Sequence, residues 1–151
     1  MRSNSLLVRS PPMAVRKAVS ILFLCTHNAG RSQMAAGWAR ELGGGAVAIY
    51  SGGSSPADAV NPVAVHAMQE VGIDISGAEP MRWTEAIVAR VDAVVSMGCG
   101  DRCPILPGKR YLDWTLTDPA GEGIELVRRV RDEIKLHVEE LLAELGVPTS
   151  E

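Results

Sequence analysis

An apolar run that leads directly into a loop bearing a cysteine and an arginine places the strongest limit on how this chain folds. Residues 19–24 are apolar almost throughout, which is typical of a buried β-strand. Residues 32–42 are rich in helix formers and carry apolar side chains at about one-turn spacing. The sequence therefore predicts a strand, a tight loop over residues 25–31, and a helix that begins where the loop ends.

This loop combines a nucleophile with groups that bind a tetrahedral oxyanion. At a helix N-terminus, unpaired N–H groups and the positive end of the helix dipole attract an anion and favour a thiolate over a thiol. Cys25 would supply the thiolate, Arg31 would bind two oxygens of phosphate or arsenate, and the Ser32 hydroxyl would donate to the sulfur. The predicted oxyanion-binding residues are Thr26, His27, Asn28, Ala29, Gly30, Arg31 and Ser32. A structural cysteine beside an unrelated arginine is the alternative.

Strands and helices alternate along the rest of the chain. Further strands are predicted over residues 47–50, 93–96 and 111–114, and helices over residues 61–71, 84–90 and 124–145, with Asn61 and Thr84 as N-caps. This alternation predicts an α/β fold with three αβα layers around a four-stranded parallel sheet, whose ligands bind beyond the carboxyl ends of the strands. Three arginines of the last helix are expected on its solvated face: Arg128, Arg129 and Arg131.

Length and composition narrow the class of protein. We expect a flexible extension over residues 1–17 and a single catalytic domain over residues 18–147 of the 151-residue chain. Three cysteines without a signal-peptide pattern favour thiol chemistry in the reducing cytoplasm. The formal net charge of −3 gives no reason to expect nucleic-acid binding, and no apolar run is long enough to predict a membrane span.

The chemistry of an oxyanion calls for a carboxylic acid opposite the thiolate, because an oxygen leaves arsenic or phosphorus far more easily once protonated. Asp118 is the candidate, since Asp118-Pro119 lies in a polar loop before the long last helix. The alternative for Asp118 is a helix N-cap. Asp113 is the second candidate for the acid.

Cys99 and Cys103 follow the third predicted strand, so we expect them at the same edge of the sheet as Cys25. Their spacing permits a disulfide if the loop folds back, and Gly98 and Gly100 would help that motion. Two ordinary thiols or half of a zinc site are the other interpretations. No metal site is predicted, because the histidines show no spacing that would complete one.

The chain resembles the low-molecular-weight protein tyrosine phosphatase superfamily and, within it, the arsenate reductases built on that fold. The resemblance extends over about residues 19–146. It rests on the Cys25 loop followed by Ser32-Gln33-Met34-Ala35, and on Tyr50-Ser51-Gly52-Gly53, Asn61-Pro62, Gly72-Ile73-Asp74-Ile75-Ser76 and Asp118-Pro119. Proline usually follows the serine in the phosphatases, whereas Gln33 at that position is similar to the reductases.

The resemblance implies a low-molecular-weight-phosphatase-like fold and an arsenate reductase most similar to the thioredoxin-coupled type. Cys25 would attack arsenate held by Arg31, Asp118 would protonate the departing oxygen, and an intramolecular thiol–disulfide relay through Cys99 and Cys103 would follow. Phosphate or sulfate could occupy the same loop. No tightly bound cofactor is implied, and the electrons would come from thioredoxin, or from mycothiol with mycoredoxin.

Three other functions fit the same residues. A mycothiol transferase would let a small thiol attack the arsenate–Cys25 adduct, with Cys99 and Cys103 as spectators. A phosphotyrosine phosphatase would hydrolyse a phosphocysteine with water. A non-enzymatic redox or anion sensor would use the same thiols without turnover.

Overall fold

The computed structural model describes residues 18–98 and 108–149, which form four strands and four α-helices. The strands are β1 (Val19–Cys25), β2 (Val47–Gly53), β3 (Ala93–Ser96) and β4 (Arg110–Asp113). The helices are α1 (Arg31–Gly43), α2 (Pro62–Gln69), α3 (Glu85–Arg90) and α4 (Ile124–Glu144), and a 3₁₀ turn over Gly44–Ala46 joins α1 to β2. Among the described residues, no helix is both long enough and apolar enough to cross a membrane.

All four strands are parallel and stand in the order β2-β1-β3-β4. From β1 the chain passes to one neighbour, β2, and later returns to the other side of β1 as β3. The order therefore reverses at the carboxyl ends of β1 and β3, which is where open α/β sheets bind their ligands. Cys25 is the last residue of β1, opposite Gly53 of β2, so the loop that follows starts at this switch point.

The side chains of β1 alternate between two cores of different size. Phe23 and Cys25 belong to a large core shared with α1, α2 and α4. Leu22 and Leu24 belong to a smaller core shared with Val88 of α3. Helices thus cover both faces of the sheet, which confirms the predicted three-layer αβα arrangement.

Two helices begin at the N-caps that the sequence predicts. Asn61 Oδ1 accepts a hydrogen bond from Val63 N at 2.9 Å at the start of α2. Thr84 Oγ1 accepts one from Ile87 N at 3.2 Å at the start of α3. Each cap satisfies an N–H group that has no partner within the helix, and so determines where the helix begins.

One prediction for α4 is wrong, because Arg131 is buried at 8% exposure. Its Nη1 donates to the carbonyl of Ala67 at 2.9 Å and to Glu70 at 2.8 Å, just beyond α2. Arg128 Nη2 binds the same carboxylate at 2.6 Å. Hydrogen bonds from Arg128 and Arg131 lower the pKa of Glu70 to about 2. A charged junction of Glu70, Arg128 and Arg131 therefore joins α4 to the end of α2.

Candidate active site

Residues from three separate parts of the chain surround one cleft at the carboxyl end of the sheet. The cleft has a volume of about 230 Å³. Six of the predicted site residues line it: Cys25, His27, Ala29, Gly30, Arg31 and Asp118. The other lining residues are Ala57, Ala59, Asn61, Pro119 and Ala120. Strand β1 positions Cys25, the start of α1 positions Arg31, and the segment between β4 and α4 positions Asp118.

Every carbonyl from residue 26 to residue 30 accepts a hydrogen bond from the chain around the loop. Thr26 O accepts from Ser55 N (2.8 Å), His27 O from Ala57 N (3.0 Å), Asn28 O from Gln33 Nε2 (3.0 Å), Ala29 O from Asn61 N (2.9 Å) and Gly30 O from Met34 N (2.9 Å). Because C=O and N–H point in opposite directions across a trans peptide, the N–H groups of residues 27–31 point away from these partners, and the partners leave them available to a ligand. Such a set of donors suits a tetrahedral oxyanion.

The sulfur of Cys25 has a hydroxyl neighbour. Cys25 Sγ lies 3.0 Å from Ser32 Oγ, and Asn28 Nδ2 donates to the same oxygen at 2.7 Å. Since the serine oxygen accepts from Asn28, its own hydrogen is available to the sulfur. The structure therefore brings Ser32 to the position that the sequence predicts, where its hydroxyl can stabilise a thiolate.

Arg31 and Asp118 meet across the cleft. Arg31 is 6% exposed, and its Nη2 lies 3.5 Å from Asp118 Oδ2. The Asp118 side chain is 52% exposed, so the carboxylate borders both the cleft and the solvent. Its Oδ1 accepts from Ala120 N at 3.0 Å, whereas α4 begins only after Gly123. Asp118 is thus not the N-cap of α4, and its place is consistent with an acid facing the thiolate.

Asp113, the second candidate for the acid, is not among the described residues that line the cleft. Asp113 ends β4, where its Oδ1 accepts a hydrogen bond from Ser96 Oγ at 2.8 Å. Cys99 and Cys103 lie outside the described residues. The second candidate for the acid is therefore hydrogen-bonded to Ser96 at the edge strand of the sheet.

Two glycines that the sequence analysis did not assign to the site allow close packing around it. A Cβ at Gly53 would lie 2.6 Å from Thr26 O. Gly98 has a φ of +96°, and a Cβ there would lie 2.6 Å from Arg31 Nη1. Thr26 Oγ1 also donates to Gly98 O at 2.8 Å. Gly98, the second residue after β3, therefore packs against the loop of residues 25–31, here called the anion loop.

Asn61 is another residue whose part in the site the sequence analysis missed. Beyond capping α2, it lines the cleft, and its backbone N–H holds the carbonyl of Ala29. The Asn61-Pro62 pair was visible in the sequence, where it predicts a helix start and belongs to the family resemblance, but it does not predict a contact with the loop after Cys25. Its approach to the loop depends on how the segment after β2 folds across β1.

The fold and the cleft define an α/β protein that carries a cysteine and an arginine in a loop between a parallel strand and a helix. The model of the low molecular weight phosphotyrosine protein phosphatase family matches residues 20–149, and the chain belongs to this family.

Several relatives are arsenate reductases. Arsenate reductase 2 of Staphylococcus epidermidis is 44% identical over 124 residues, covering 80% of this chain and 93% of that protein. The glutaredoxin arsenate reductase of Synechocystis sp. is 40% identical over 131 residues, covering 83% of this chain and 98% of that protein. A solved thioredoxin-dependent arsenate reductase of Corynebacterium glutamicum superposes with a TM-score of 0.78 at 37% identity, covering 87% of this chain but 64% of that one.

Proposed function

We propose that this protein is a cytoplasmic arsenate reductase that detoxifies arsenic, with residues 18–147 as its single catalytic domain. The observation that carries the proposal is the set of five hydrogen-bonded carbonyls around the loop after Cys25, which leaves the loop N–H groups available to an anion, with Arg31 and Asp118 at the same cleft. Arsenate and phosphate share the shape and charge that such N–H groups bind. Relatives with arsenate reductase activity favour arsenate as the substrate.

The wall of the cleft supports a small inorganic substrate over a phosphotyrosine. Beside the loop, the wall consists of Ala57, Ala59 and Ala120 with Asn61 and Pro119. No phenylalanine, tyrosine or tryptophan is among the described residues that line it, so a tyrosyl ring would find no aromatic partner there. A bare oxyanion needs no such partner.

In the first step, the Cys25 thiolate displaces a hydroxyl oxygen of hydrogen arsenate and forms a sulfur–arsenic bond. Asp118 donates the proton with which that oxygen leaves as water. Arg31 and the loop N–H groups hold the remaining oxygens, where negative charge is concentrated during the displacement. The product is an arsenate adduct of Cys25.

The next two steps use the other cysteines. The Cys99 thiolate attacks Cys25 Sγ, and the sulfur–arsenic bond breaks. Its electron pair reduces As(V) to As(III), which leaves as arsenite, and a Cys25–Cys99 disulfide remains. Cys103 then attacks the Cys99 sulfur, frees the Cys25 thiolate and forms a Cys99–Cys103 disulfide. The contact between Gly98 and Arg31 supports this order, since it starts the chain toward Cys99 beside the site.

A thiol reductant must return the last disulfide to two thiols. The relatives use thioredoxin in one case and glutaredoxin in another. We propose thioredoxin, whose dithiol supplies the two electrons of each turnover. In the alternative, mycothiol attacks the arsenate–Cys25 adduct and mycoredoxin completes the reduction without Cys99 or Cys103.

Arsenate-dependent NADPH oxidation tests these choices. The assay is run with thioredoxin and its reductase, with mycothiol, mycoredoxin and mycothione reductase, and with glutathione, glutaredoxin and glutathione reductase. Hydrolysis of p-nitrophenyl phosphate is measured in parallel. We expect turnover with thioredoxin. Aryl phosphate hydrolysis without arsenate reduction would instead assign a phosphatase.

Serine variants test the relay. Cys99→Ser should stop at the arsenate–Cys25 adduct and form no disulfide. Cys103→Ser should release one arsenite per enzyme and stall as a Cys25–Cys99 disulfide, detected by mass spectrometry after non-reducing proteolysis. Normal turnover of both variants with mycothiol would contradict the relay and assign a thiol transferase.

A further inference from the structure

Gln33 is a buried polar side chain that does not line the cleft yet holds a residue of the anion loop. It is the third residue of α1 and is 3% exposed. Its Nε2 donates to both oxygens of Asn28, the backbone carbonyl at 3.0 Å and the side-chain Oδ1 at 3.2 Å. One amide group therefore restrains the backbone and the side chain of the same residue.

Asn28 requires restraint because its backbone conformation is unfavourable. With a φ of +50°, it is the sole non-glycine residue of positive φ within residues 18–98 and 108–149, and it is fully buried. In the left-handed region, the Cβ of a residue crowds the backbone and raises its conformational free energy. The carbonyl that Gln33 holds shares a peptide plane with the N–H of Ala29, so its direction decides whether that N–H points into the loop.

The side chain of Asn28 connects Gln33 to the nucleophile. Met81 N donates to Asn28 Oδ1 at 3.0 Å, which identifies this atom as the oxygen and leaves Nδ2 to face Ser32. Nδ2 donates to Ser32 Oγ, and the serine hydrogen is then available to Cys25 Sγ. The donors run in one direction, toward the sulfur.

We propose that Gln33 is a positioning residue for the Cys25 site. By holding Asn28, it keeps one N–H turned toward the oxyanion and keeps the Ser32 hydroxyl turned toward the sulfur. The use of arsenate in this inference rests on the function proposed above. Its two direct consequences, the reactivity of the thiol and the binding of an oxyanion, do not depend on arsenate reduction.

Gln33→Met tests the role, because it keeps the length of the side chain and removes both donors. The rate of Cys25 alkylation by iodoacetamide at pH 7 is followed by peptide mass spectrometry, which scores Cys99 and Cys103 separately. Added inorganic phosphate gives the concentration that half-protects Cys25. We expect roughly tenfold slower alkylation and a roughly tenfold higher half-protecting concentration. Gln69→Met, at the exposed end of α2, is the matched control and should leave both values unchanged.

Gln33→Glu separates positioning from packing, because it keeps the shape but places carboxylate oxygens against both oxygens of Asn28. At equal folded fraction, measured by circular dichroism, its losses should exceed those of Gln33→Met. Unchanged alkylation and phosphate protection in folded variants would overturn the inference, and so would losses that follow the folded fraction alone. If the effects occur in a protein that does not reduce arsenate, the positioning role holds and the proposed function fails.

Discussion

The two sides of the cleft are built in different ways. On one side, Asn28 and Arg31 are buried and every carbonyl of residues 26–30 is hydrogen-bonded. On the other side, Asp118 is half exposed, and its hydrogen bond stays within its own turn. The proposed oxyanion site is therefore shaped before the substrate arrives, which is the arrangement that lowers the cost of reorganisation during the reaction. Asp118, the proposed acid, instead remains in contact with the solvent, from which it can regain a proton.

This difference implies that binding and proton transfer can be separated by mutation. Changes on the acid side should slow the chemical step and leave oxyanion affinity nearly intact. Changes in the loop should affect both, since the same groups hold the oxyanion before and during displacement.

The largest effect is expected for Asp118→Asn. The rate of adduct formation in a single turnover should fall by roughly 10²–10⁴, the usual contribution of a general acid. Half-protection of Cys25 by phosphate should change little, because Arg31 and the loop N–H groups are retained. Asp113→Asn is the control, since Asp113 is bonded to Ser96 and does not line the cleft. An unaltered single-turnover rate in Asp118→Asn would remove the acid role from this residue.

Arg31→Lys should give the next largest loss. Lysine keeps the charge but presents a point charge where arginine presents a planar fork. We expect kcat/KM for arsenate to fall by roughly 10²–10³, as for the loss of a preorganised donor, with a parallel loss of phosphate protection. Arg129→Lys on the exposed face of α4 should behave as wild type. A near-wild-type kcat/KM of Arg31→Lys would show that Arg31 does not bind two oxygens of arsenate.

Gly98→Ala should have a smaller effect that is specific to the loop. The added Cβ would meet Arg31 Nη1 at 2.6 Å and displace the guanidinium. We expect phosphate affinity to fall by roughly tenfold through loss of a charge-assisted hydrogen bond. Gly72→Ala is the matched control, because its φ of +82° carries a similar backbone penalty while nothing lies within 4 Å of the new Cβ. Equal affinities in the two variants would exclude the proposed contact.

The parts of the site that could be predicted from the sequence are those specified by neighbouring residues. The apolar run before Cys25 and the helical pattern after Arg31 are local, and they sufficed to predict a strand, a loop and a helix. The capping roles of Asn61 and Thr84 are local as well. The parallel pairing of the four strands followed from their alternation with helices, because a parallel pair requires a crossover connection. The order of the strands in the sheet was not predicted.

The contacts that could not be predicted join segments distant in the sequence. Ser55 and Asn61 bind carbonyls of the loop some thirty residues earlier, and Gly98 packs on Arg31. The burial of Arg131 also depends on residues distant in the sequence. Its place on α4 suggested solvent, but a carbonyl and a carboxylate at the end of α2 satisfy its charge in a buried position. No local pattern carries that information.

Glu70→Gln extends the comparison to a region outside the cleft and should have the smallest effect on activity. Arg128 and Arg131 lower the pKa of Glu70 from 4.5 to about 2, so the folded protein favours the carboxylate. Its contribution to stability is present above the unfolded value of 4.5 and is lost as the pH falls through about 2. The urea midpoint of wild type should therefore exceed that of Glu70→Gln near pH 7, and the difference between the two midpoints should close toward pH 2.

Glu140→Gln, on the exposed face of α4, is the control and should show no such difference from wild type, and arsenate turnover should be unchanged in both variants. A gap in midpoint that is the same at every pH would mean that the junction holds α2 and α4 by packing and not by the charge of Glu70.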